Sequence, residues 1–71
     1  MTQYIKFRRN DIVYVAKTDR VYYVHAAQGI NYEVSTAGEH YHRLIGTDWL
    51  NRHGRKIDDL EAELLKLNRL S

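Results

Sequence analysis

The chain contains neither cysteine nor proline. Without cysteine there are no disulfides, and the cysteine-based zinc frameworks that stabilise many short chains are excluded. Self-association is then the remaining common support for so small a domain. No apolar run approaches the roughly 20 residues that span a bilayer, and the opening MTQYIKFRRND has neither the apolar stretch nor the small-residue cleavage site of a secretory signal. The expected location is cytoplasmic. Serine is scarce, with only Ser35 and Ser71, and there is no GxSxG, GxGxxG or P-loop pattern to supply a nucleophile or a phosphate cradle. No catalytic residue, metal or cofactor is therefore expected. Gly/Ser-rich linkers, low-complexity tracts and internal repeats are also missing, so the 71 residues read as one domain with a core one layer deep.

What is present divides into two kinds of text. From Asp11 to Ser35 the sequence DIVYVAKTDRVYYVHAAQGINYEVS holds three runs rich in valine, isoleucine and tyrosine, punctuated by Thr18-Asp19 and Gln28-Gly29, as in a β-meander. Before it, YIKFR from Tyr4 to Arg8 alternates apolar and polar residues and predicts a first strand, with Ile5 and Phe7 on one face. Asn10-Asp11 then favours a turn. Ile12 to Lys17 and Val21 to Ala26 predict a hairpin, whose loop lacks the glycine of the tightest turns. On the second of these strands Tyr22, Val24 and Ala26 face one way and Val21, Tyr23, His25 and Ala27 the other, so both faces need cover. Ile30, Tyr32 and Val34 oppose Asn31, Glu33 and Ser35, the alternation of a strand with one wet face.

Thr36 to Gly46 admits two readings: a helix opened by a Thr36/Glu39 capping box, or a strand over HYHRLI. The β-rich setting and the enclosing glycines favour the strand. Thr47-Asp48 resembles a cap for a single helical turn that Gly54 ends. Asp58 with Glu61 caps a final helix whose acids (Asp59, Glu61, Glu63) precede its bases (Lys66, Arg69), complementing the helix dipole. The expected fold is thus α+β: a small antiparallel sheet, or an open SH3-like barrel, of four to five strands over 1–46, a helical turn over 47–54 and a C-terminal helix over 58–70.

Ile57, Leu60, Leu64 and Leu67 recur every three or four residues and form one stripe, with Leu65 and Leu70 outside it. Packed on the sheet, the stripe covers the core. Facing a second chain, it would be a short seam. Both hold if the stripe covers the sheet while Leu65 and Leu70 mediate self-association in a homodimer. His40 and His42 share a strand face at i and i+2, and His25 and His53 are the candidates for a third ligand, but the sequence does not place either beside the pair, so no metal site is assigned. The formal charge of +2 is uneven. Residues 1–57 hold nine Lys/Arg against five Asp/Glu, a net +4, and residues 58–71 hold two against four, a net −2.

Tyrosine supplies six of the eight aromatic residues. Interleaved with basic residues, the rings suit either a protein-binding face or a stacking platform for single-stranded nucleic acid. The expected contact set is Arg20, Tyr23, Tyr32 and Arg43. DIVYV from Asp11 and YYVHA from Tyr22 resemble two strands of LytTR-type DNA-binding domains over roughly a third of the chain. Ala16 and Ala26 stand where that family has glutamate and threonine, and LNRHGRK from Leu50 lacks its paired Arg-x-His-Arg, so none of its DNA-contacting residues carries over. The same strands are similar to small KOW and Tudor barrels. The residues together predict a non-enzymatic accessory protein, in the manner of small phage-type inhibitors and adaptors, that binds a protein partner; a nucleic-acid partner is the alternative.

Overall fold

The computed structural model describes residues 4–36 and 41–70, with side chains to residue 68. Five strands form one antiparallel sheet: β1 (Ile12–Val15), β2 (Arg20–Gln28), β3 (Asn31–Thr36), β4 (Arg43–Gly46) and β5 (Gly54–Ile57). Helix α1 (Thr47–His53) joins β4 to β5, and α2 (Asp59–Leu70) follows the last strand. The order across the sheet is β4-β3-β2-β1-β5, so β4 and β5 are free edges and the sheet is open, not a closed barrel.

The meander lies where its turn residues place it. Asp19 ends the four-residue β1–β2 turn with φ +54°, and Asn10 and Gly29 take the same left-handed region at the neighbouring turns. The backbone N–H of Arg8 donates to Asp11 Oδ2 at 2.9 Å, which closes the Asn10-Asp11 turn. Ile12 pairs with Tyr23, and Val34 lies between Val24 and Arg43, so the side chains sort by the pleat. One face carries Val13, Val15, Tyr22, Val24, Tyr32 and Val34. It is closed by Phe7 and Leu50, with Trp49 and Ile45 at the margin. The opposite face gathers Val21, Ile57, Ile12, Tyr14 and Tyr23 beneath Ala62 and Leu65 of α2.

Three elements differ from the expectation. Residues 4–8 are not a strand: the backbone N–H groups of Lys6 and Phe7 donate to the Tyr32 hydroxyl, at 2.9 and 3.1 Å, instead of to a neighbouring strand. Phe7 is buried, while Ile5 stays partly exposed. The fifth strand is β5, hidden in the sequence because its interior residues, Arg55 and Lys56, are both exposed on an edge strand, where charge is well tolerated. Its first residue must be glycine, since a Cβ on Gly54 would lie 2.5 Å from Val13 Cγ1 and 2.7 Å from the Leu50 carbonyl oxygen.

In α1, Thr47 does not cap. Its hydroxyl donates to the Gly29 carbonyl at 2.7 Å and ties the helix start to the β2–β3 turn. Gly54 ends α1 as expected, its N–H donating to the Leu50 carbonyl. The strand reading of 36–46 holds for Arg43–Gly46; Glu39 of the alternative capping box lies outside the described residues. Asp58 caps α2, its Oδ1 accepting the Glu61 N–H at 2.8 Å. Among the described residues no helix is long and apolar enough to cross a membrane.

Candidate functional site

Helix α2 contacts the sheet with the side opposite to the expected stripe. Ala62 is 2% exposed and Leu65 packs with Val21, Ile57 and Tyr23. Leu60, Leu64 and Leu67 are 70%, 53% and 60% exposed. At i, i+4 and i+7 they line one outward face along most of the helix. The geometry follows from 100° per residue: Ala62 and Leu65 lie about 140–200° round from Leu60. Periodicity finds the longer stripe, but only a small residue lets the helix backbone approach the β-branched surface of Val21, Ile12 and Ile57. The self-association pair changes accordingly. Leu65 is a docking contact to its own sheet, and the side chain of Leu70 lies outside the described residues.

Two cations clamp the helix. Arg55 of β5 reaches Glu61 Oε2 at 2.8 Å and lies 5.8 Å from the Tyr14 ring centroid. The hydrogen bond to Glu61, then the charge of that carboxylate, raises the Arg55 pKa. Lys66 Nζ lies 5.3 Å above the Tyr23 ring and 3.3 Å from Glu63 Oε1. Hydrogen bonding to the Tyr23 hydroxyl is the main influence raising its pKa, with burial opposing and Glu63 adding.

The expected contact set is not brought together. Tyr32 is fully buried, its hydroxyl accepting two backbone N–H groups and donating to Asn51 Oδ1, so it is a core residue and no surface contact. It alternates onto the inner face because Val34 and Thr36 do. Tyr23 lies on the opposite face, half covered beneath Lys66. Arg20 is exposed at the start of β2, and Arg43 on edge strand β4 donates to the Tyr41 hydroxyl at 2.9 Å.

Among the described residues α2 contacts mainly β1, and on the β3–β4 half of the same face Leu44 is exposed. There a bulge between Val24 and Ala26 displaces His25, which stacks on His42 with ring centroids 4.0 Å apart and planes 12° from parallel. His42 Nδ1 is 2.7 Å from Glu33 Oε2, and His25 Nε2 is 2.8 Å from Ser35 Oγ. Each histidine thus has a polar partner within the sheet. Of the His40 and His42 pair, His40 lies outside the described residues, and no three or more His, Cys, Asp or Glu among the described residues converge as metal ligands would. Sequence reasoning missed this stack, because the bulge that aligns His25 with His42 has no signature in alternation.

Compared with known proteins, the chain matches no family model, no curated protein and no solved structure.

Proposed function

We propose that this chain is a non-enzymatic accessory protein that acts by protein–protein contact, as an inhibitor or adaptor, through the outward face of α2. One observation carries the reading: three leucines at helical spacing stand exposed on a helix whose other side already covers the sheet. A leucine row at i, i+4 and i+7 is the pattern by which helices enter apolar grooves or pair with other helices. The nucleic-acid reading has less support. Tyr22 and Tyr32 are interior. Tyr14, Tyr23 and Tyr41 each have a cation near the ring, at 5.3 to 5.8 Å from the centroid, where a base would have to stack.

Affinity capture from the native cell, with and without nuclease, tests the reading. Wild-type protein is expected to retain a protein that survives nuclease treatment, and the Leu60→Ser/Leu64→Ser double variant to lose it while keeping its circular dichroism. Retention that disappears with nuclease would favour the alternative. Undiminished capture by the folded double variant would move the contact surface away from α2.

A further inference from the structure

We propose that edge strand β4 is a docking site for β4 of a second copy of this chain, paired antiparallel about Leu44 so that the two sheets become one. This surface is separate from the leucine row of α2, and the proposal does not rest on the role given to that helix.

Backbone direction defines the ligand. The Thr47 N–H donates to the Ile30 carbonyl at 2.8 Å on either side of the Gly46 and Asn31 pair, which makes that pair a non-hydrogen-bonded one in the antiparallel ladder. Bonded and non-bonded pairs alternate, so Leu44 opposite Glu33 is the next non-bonded pair. The N–H and C=O of Leu44 and the N–H of Gly46 therefore point away from β3, and among the described residues no strand lies on that side of β4. Such a row is matched by another extended backbone. The two edges of the sheet also differ in their guards. The interior of β5 is Arg55 and Lys56, charges of the kind that protect an edge, whereas the interior of β4 is Leu44 and Ile45, with Leu44 exposed.

Self-pairing fits this edge in one register. With Leu44 opposite its own copy, each Leu44 N–H donates to the other Leu44 carbonyl, and each Gly46 N–H to the His42 carbonyl of the other copy. Arg43 then faces Ile45, and His42 faces Gly46, where a Cβ would meet only Trp49 Cβ, at 4.0 Å. Bulk meets open space and no like charges are opposed, so one patch complements itself, as a two-fold contact requires. Shifting the register one way sets Arg43 against Arg43. Shifting it the other way calls on Thr47, which is buried at the start of α1 with its hydroxyl on the Gly29 carbonyl. A strand of four residues buries less than the roughly 1,200 Å² at which stable specific interfaces begin, so the dimer is weak and reversible.

Sedimentation of the full chain from about 10 µM to about 1 mM is expected to show the mass rising from 8.4 kDa towards twice that value. Over the same range, hydrogen exchange at the Leu44 and Gly46 amides should slow several-fold, while exchange at Arg55 and Lys56 on the other edge stays constant. Leu44→Lys opposes two cations at the dyad, and Leu44→Pro removes an outward N–H without touching a bond to β3. Each variant should stay monomeric at about 1 mM with unchanged circular dichroism. The Leu60→Ser/Leu64→Ser variant should dimerise as the wild type does. A wild-type chain that is monomeric at about 1 mM, or a dimer that persists in folded Leu44→Lys, would overturn the proposal. Capture of a cellular protein that Leu44→Lys abolishes, by a chain that does not dimerise, would assign the edge to a foreign strand instead.

Discussion

Tyr32 shows how one side chain can hold a segment that has no secondary structure of its own. Its ring fills the inner face beside Phe7, with centroids 5.9 Å apart, and its hydroxyl satisfies the N–H groups of Lys6 and Phe7. Asn51 completes the arrangement, accepting from that hydroxyl and donating to the Tyr4 carbonyl. Tyr32→Phe keeps the ring but leaves two backbone donors without a protein acceptor, at a cost of about 1–3 kcal/mol in urea unfolding. A change below the resolution of that measurement would mean that water replaces the hydroxyl. Gly54 is constrained by space. Gly54→Ala should destabilise by about 1–3 kcal/mol through overpacking against Val13 and the Leu50 carbonyl, read from the thermal midpoint. Both residues had a visible sequence signal, a tyrosine in a strand alternation and a glycine after a helical turn. In neither case did the signal state the role, because the atoms each one meets come from distant parts of the chain.

At the scale of elements, α2 separates what a periodic pattern can state from what it cannot. Leucine spacing and the Asp58 cap define the helix, but two sides of it are apolar and the pattern does not choose between them. The choice falls to Ala62, whose small side chain allows close approach to the sheet, and to the clamps from Arg55 and Lys66. Two variants follow from this. Ala62→Asp buries a charge without a partner and should cost more than about 2 kcal/mol. Leu64→Ala removes an exposed side chain and should stay within about 0.5 kcal/mol of wild type. Chemical denaturation of both proteins checks the pair; the reverse order would put the Leu60, Leu64 and Leu67 side against the sheet.

For the whole molecule, the sheet is the shared wall of two unequal cores. The inner-face core draws on the segment before β1, four strands and α1, whereas the other rests on one helix contacting mainly β1 and its neighbours. A helix of 12 residues is marginal by itself, so α2 should open locally while the sheet remains closed. Hydrogen exchange is expected to show the amides of Leu64 to Asn68 exchanging well before those of Val13, Val24 and Val34. Equal protection in both sets would mean that α2 unfolds only with the sheet. The meander, its turns, the Asp58 cap and the existence of both helices were determined by the sequence alone, because alternation, turn residues and caps act between neighbours along the chain. Tertiary structure decided that residues 4–8 cross a face as an unpaired segment, that Gly54–Ile57 joins the sheet edge, and that the leucine row faces outward. Those outcomes depend on which surfaces meet across the fold: the Tyr32 hydroxyl, the side of β1 that Gly54–Ile57 pairs with and the close fit of Ala62 are made by residues that the sequence does not place side by side.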